Sequence, residues 1–176
     1  MRATERHSHP HRVTLRPLAE SDAPQLWRIH CTPQVSQWWD LPEDEFPFDE
    51  PESTRFTIEV DGAVAGLIQY WEEAEPKYRH AGIDLFVDPK LHGRGVGTEA
   101  VRLLVGQLIE ERGHHRITID PAVENRAAIR AYEKVGFRAV GIMRQSERDS
   151  DGRGWHDSLM MELLASEWAP GRVLPD

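Results

Sequence analysis

The amino-acid sequence predicts a single α/β domain whose central sheet mixes strand directions. Three observations lead there. The chain has 176 residues, room for one core of ordinary size or at most two very small ones. Strand-like runs and helical stripes follow one another as β-α-α-β-β-β-α-β-α-β-β, with no internal repeat. Asp61-Gly62 joins two of the strand runs through a two-residue connection, so part of the sheet is a hairpin.

Each element has a local reason. Residues 1–12 hold His7, His9 and His11 among Arg, Ser and Pro without apolar periodicity. Alternate histidines can chelate a metal, but the segment reads as a frayed tail. Residues 13–18 alternate as a strand. Ser21 is a candidate N-cap with Asp22 in the first turn, and Leu26, Trp27 and His30 carry a first helix to about Cys31. Residues 33–52 are acidic and Pro-rich around Trp38-Trp39, which predicts a second short helix and then a mobile loop. The hairpin strands are 56–60 and 63–70, and residues 81–87 form the next strand, ending at Asp88-Pro89. A glycine-rich turn then opens a long helix with the stripe Val101, Leu104, Val105 and Leu108 and a C-cap at Gly113. Residues 116–120 are a short strand, and Asn125 caps a helix that stops at Gly136. Residues 137–143 and 155–163 make a last hairpin. The domain is expected over 13–170, with 171–176 as a C-terminal tail.

Composition excludes several classes of function. With 39% hydrophobic and 29% charged residues the chain is globular. Its apolar runs, such as Leu103-Leu104-Val105, are far too short to span a membrane, and no signal-peptide core follows Met1. A soluble cytoplasmic protein is expected. The single cysteine, Cys31, excludes a disulfide framework and a multi-cysteine zinc site, and no metal is expected. Between Cys31 and Pro76, twelve acidic residues stand against one basic residue, Arg55, so the net charge of −9 is concentrated there. Such a field repels nucleic-acid phosphates and attracts small cations or polyamines. A solvated acidic loop that only aids solubility is the plainer alternative.

The segment His92-Gly93-Arg94-Gly95-Val96-Gly97-Thr98 places three alternate glycines where a helix begins. Glycine lets a phosphate approach the backbone, and free N–H groups at a helix start point toward it. No Lys-Ser/Thr pair follows, as a Walker loop requires, and the spacing is not that of a Rossmann turn.

This segment resembles the acetyl-CoA-binding motif of the GNAT superfamily of N-acetyltransferases, with Val87-Asp88-Pro89 as the preceding turn and Gly95 and Gly97 as the defining glycines. His92 stands where Gln or Arg is usual. About thirty residues on, the run from Asn125 through Ile129 and Tyr132 to Gly136-Phe137 resembles the superfamily's second cofactor helix. The resemblance implies a GNAT fold: a mixed sheet splayed between strands 81–87 and 116–120, helices on both faces, and acetyl-CoA wedged in the splay. It implies that residues 93–98 hold the diphosphate through backbone N–H groups. Phe86 or Val87 would bond the thioester carbonyl, Asn125 and Tyr132 would lie along the pantetheine arm, and no metal would take part.

Upstream, Trp38-Trp39, Trp71-Glu72-Glu73, Gly82-Ile83-Asp84 and Asp120-Pro121 resemble the aminoglycoside 6′-N-acetyltransferases. The resemblance implies direct acetyl transfer to a primary amine of a cationic small molecule, with Asp84 taking the ammonium proton and Tyr132 protonating the departing thiolate. It assigns Glu72, Glu73, Asp84 and Asp120 to the substrate, and Asp157 by a looser match; of Trp38 and Trp39, one ring suits the core and the other a surface that stacks on a sugar or cation, and the sequence does not say which. Glu72 and Glu73 are adjacent, so on a strand only one of them faces the cleft. Other acceptors stay open at this point, namely a polyamine, a protein α-amine or another metabolite amine, as does a non-catalytic sensor. A monomer and a homodimer are both compatible with the sequence.

Overall fold

The computed structural model describes residues 11–170. The tail expected at 171–176 and most of the one at 1–12, with His7 and His9, lie outside them. His11 and Arg12 are described, and both bond to the Asp61 carboxylate at the hairpin turn, each at 3.0 Å.

Seven strands form one sheet: β1 (Val13–Pro17), β2 (Thr54–Val60), β3 (Ala63–Glu73), β4 (His80–Val87), β5 (Arg116–Ile119), β6 (Arg138–Arg148) and β7 (Trp155–Leu164). Their spatial order is β1-β2-β3-β4-β5-β7-β6. All neighbours are antiparallel except β4 and β5, which run parallel. That parallel ladder is short. β4 pairs with β3 from His80 to Val87, but with β5 only at Ala81↔Ile117 and Gly82↔Thr118. Beyond these two pairs the strands part, which is the expected splay.

Helices cover both faces. α1 (Ala23–His30) and α2 (Pro33–Ser36) lie on one side, where Leu26, Ile29, Val35, Phe46, Leu67 and Phe86 form a small core. α3 (Val96–Gly106), continued by a wider turn at Gln107–Glu111, and α4 (Arg126–Val135) cover the other. There Val101, Leu104 and Leu108 pack with Ile68, Ile117, Tyr132 and Met161 in the larger core. The stripe read from sequence is therefore the buried face of α3.

Two local expectations are corrected. Ser21 does not cap α1: a 3₁₀ turn at Glu20–Asp22 intervenes, and Asp22 occupies the cap position without a side-chain cap bond. Its carboxylate is drawn inward by Arg16, at 2.6 and 2.7 Å, and by the Thr57 hydroxyl at 2.7 Å. β6 runs on to Arg148 rather than ending near residue 143, with register shifts on the way. Because this edge strand is exposed along nearly its whole length, no burial pattern marks its second half.

Candidate active site

The splay opens beside the start of α3. Gly95 is the N-cap at φ +78°, no side chain caps this end, and Gly93 also has a positive φ of +72°. A side chain would strain both positions. The N–H groups of Val96, Gly97 and Thr98 open the helix and have no intrahelical acceptor. The Arg94 N–H differs, since it donates to Leu91 O at 3.3 Å and is not available to a ligand. A Cβ on Gly97 would meet no protein atom closer than Val87 Cγ2 at 3.8 Å, so packing leaves this face open. The Val96 side chain itself is buried in the core. His92 Nε2 donates to Val87 O at 2.9 Å, so this ring fastens the glycine turn to the end of β4.

Ladder parity assigns the donors of β4. The Asp88 N–H bonds to Ala65 O at 2.7 Å, and the Leu85 N–H bonds to its neighbour's carboxylate, Asp84 Oδ1, at 3.0 Å. Alternation along the β3–β4 ladder then turns the Phe86 N–H toward Leu67 and the Val87 N–H toward the splay. Of the two donors expected from sequence, Val87 has the suitable direction. The Phe86 ring packs under the cleft, stacked on His30 with centroids 5.1 Å apart.

The second half of the site is acidic. Asp84 projects from β4 on the α1 side of the sheet, opposite Gln69 of β3, and opens to solvent although protein surrounds it. Burial pushes its carboxyl up to about 7, with the charges of Asp120, Glu147 and Glu50 adding to the effect. Asp120, just past β5, is likewise raised by burial and by Glu147. Tyr132 of α4 is buried, and its phenol lies well above the usual range because of that burial and the charges of Asp84 and Asp120. A carboxylate that holds its proton to neutral pH thus lies within electrostatic reach of a phenol that stays protonated.

Other expected residues fall in different surroundings. Strand alternation puts Trp71 and Glu73 on the Asp84 face and Glu72 on the opposite one. Glu72 there bonds buried His114 Nε2 at 2.6 Å, next to Arg112 at 3.7 Å. The Trp71 indole lies directly over Gly82, where a Cβ would come within 2.3 Å of the ring, and 42% of the residue remains exposed. Trp39 packs against the smaller core, edge-on to Phe86 and His30, and both it and Trp38 are half-buried. Asn125 Oδ1 caps α4 through the Ala128 N–H at 3.2 Å. Asp157 Oδ1 accepts the Gln145 N–H at 2.8 Å, bracing the irregular stretch of β6. Glu147 and Glu50 were not foreseen. Glu147, whose charge acts on Asp84, follows a register shift between Met143 and Glu147 that no spacing in the sequence reveals. Among the described residues, no group of three His, Cys, Asp or Glu side chains is placed to hold a metal ion, and no helix is long and apolar enough to cross a membrane.

The sheet that parts after two residue pairs, with a glycine-opened helix facing the gap, defines a fold for gripping an acyl-CoA. The chain belongs to the acetyltransferase (GNAT) family, whose sequence model matches residues 13–137. It is 31% identical over 155 residues to an aminoglycoside N(6′)-acetyltransferase type 1 of Klebsiella pneumoniae, covering 74% of this chain and 76% of that protein. It is 26% identical over 179 residues to the spermidine N(1)-acetyltransferase of Escherichia coli (strain K12), covering 93% and 95%. Among solved structures, aminoglycoside acetyltransferase AAC(6′)-Ib with coenzyme A and kanamycin superposes with a TM-score of 0.73 at 26% identity, over 89% of this chain and 96% of that one. The protein is thus an acetyl-CoA-dependent acetyltransferase of the GNAT type.

Proposed function

We propose that the protein acetylates a primary amine of a polycationic small molecule, with the 6′-amine of an aminoglycoside as the first candidate, by direct transfer in a ternary complex. The observation that carries this reading is that Asp84, Asp120 and Glu147 lie close enough for their charges to act on one another, with Tyr132 within reach of the first two. Three carboxylates suit a substrate that brings several ammonium groups.

Acetyl-CoA supplies an activated thioester. The N–H groups of Val96, Gly97 and Thr98 would hold its diphosphate, and the Val87 N–H would stabilise negative charge developing on the thioester oxygen. Asp84 would accept the proton of the incoming ammonium, directly or through one water. Its carboxyl near 7 is matched to base work at neutral pH. Tyr132 would give its proton to the departing thiolate. Cys31, exposed on the rim of α1 and without a paired histidine, has no part in this scheme.

The test is thiol release from acetyl-CoA in the presence of kanamycin or tobramycin. Turnover is expected with the wild type, and Asp84→Asn should be slower by about a hundredfold or more with coenzyme A binding retained. Equal activity in the variant would remove Asp84 from the mechanism. A second reading, with a linear polyamine as acceptor, is favoured by the spermidine N(1)-acetyltransferase relative, which aligns over almost the whole chain. Turnover with spermidine and none with any aminoglycoside would select it.

A further inference from the structure

Arg55, the lone basic residue of the acidic stretch, is almost fully buried, its side chain only 5% exposed. All three of its nitrogens are engaged. Nε donates to Gln69 Oε1 at 2.7 Å, Nη1 to Pro47 O at 2.7 Å and to Asp49 Oδ1, and Nη2 pairs with Glu50 Oε1 at 2.8 Å. The guanidinium also stands over the Phe46 ring, 5.7 Å from its centroid. The other Glu50 oxygen accepts from Ser53 Oγ at 3.1 Å and from Gln69 Nε2 at 3.3 Å. Residues 40–53 contain no regular helix or strand; Phe46 anchors them in the smaller core, and this network ties the part around Asp49 and Glu50 to β2 and β3. It is also close to the chemistry, because Gln69 is the register partner of Asp84 and both point to the same face. The Glu50 side chain stays 43% exposed, and its charge is among those felt by Asp84.

We infer that Arg55 is a positioning residue for the acceptor: it locks Glu50 at the rim of the cleft beside Asp84 as the contact for a second ammonium group of a polycationic substrate. This rests on the reading above that the acceptor carries several charges. A lone counter-charge would act in the opposite sense, since removing it would make the cleft more negative and tighten a cation. An anchor, when removed, releases Glu50 and loosens the cation's grip.

Steady-state kinetics with kanamycin and with spermidine, against a monocationic alkylamine, test this. Arg55→Gln and Glu50→Gln should each raise KM for the polycation about tenfold while kcat changes by less than about threefold. The double variant should be no worse than the weaker-binding single variant, because both remove one contact. KM for the alkylamine and the calorimetric Kd for coenzyme A should stay unchanged. Glu50→Gln should also move the acid limb of kcat/KM to lower pH. Additive effects, an unchanged or lowered polycation KM in Arg55→Gln, or equal losses for the alkylamine would overturn the inference. Should Arg55→Gln fail to fold, Glu50→Gln decides alone, and a normal KM there is sufficient to reject it. A wild type that turns over no polycation refutes the functional reading instead, and does so before any variant is made.

Discussion

Asp84 is the residue where burial and neighbouring charge act most directly on chemistry. Its proton is held to about 7 in the folded protein but leaves near 3.8 in an unstructured chain. As the base of the proposed reaction it would work only when ionised, so kcat/KM should rise with pH through about 7 instead of levelling off in the acid range of an ordinary carboxylate. The same shift costs stability, because the folded state binds more protons than the unfolded one across that interval. Wild-type stability at this site therefore declines as pH rises from the unfolded value to the folded one. Asp84→Asn removes the cost. The variant's thermal midpoint should exceed that of the wild type increasingly as pH climbs toward 7, with the gap constant above it. A gap that shrinks with rising pH would contradict the assignment. Asp22 shows the reverse sign. Arg16, then Thr57, hold its carboxyl below the usual range despite burial, so it stabilises the fold above the normal carboxylate range and loses that contribution in acid. Asp22→Asn should cost about 3 kcal/mol in urea unfolding at neutral pH, and less at low pH, where the wild type protonates too.

At the scale of elements, the start of α3 and the ladder of β4 divide the work of holding the donor in the proposed reaction. Replacing Gly95, at φ +78°, by alanine forces a side chain into the left-handed region. The expected result is a stability loss of about 1 to 2 kcal/mol and weaker coenzyme A binding by calorimetry, with acceptor KM little altered. The glycine turn and the helix capped by Asn125 were legible in sequence because their signals are local: a backbone conformation, a cap, a stripe. Gly82 was legible only as part of a pattern. Its reason, the indole of Trp71 lying across it, needs the β3–β4 register. The same register separates Glu73 from Glu72 and turns the Val87 N–H, not that of Phe86, into the splay. Ser21 does not cap the helix because Arg16 of β1 and Thr57 of β2 hold the Asp22 carboxylate inward, a contact that depends on the β1–β2 pairing.

Across the whole molecule, the charges of Asp120, Glu147 and Glu50 converge on Asp84, while the larger core packs beneath α3 and α4. An acceptor drawn by this field should bind less well as ions screen it. Raising salt from about 0.05 to 0.5 M should increase KM for a polycation several-fold, and more steeply for substrates with more charges. KM for a monocationic amine should barely move, and a flat response for all acceptors would show that the field does not select the substrate.

The sequence by itself determined the family resemblance, the glycine turn, the helix capped by Asn125, the hairpin and the place of Asp84 on a strand, since each rests on residue types at short spacing. The tertiary structure decided which partners surround them. Buried Arg55 ties Glu50 of the acidic loop to Gln69, the register partner of Asp84, and β6 shifts register against β7 just before Glu147. Contacts between segments dozens of residues apart leave no periodic trace in the chain. They arise when the sheet brings strands into register and burial compels each polar group to find a partner.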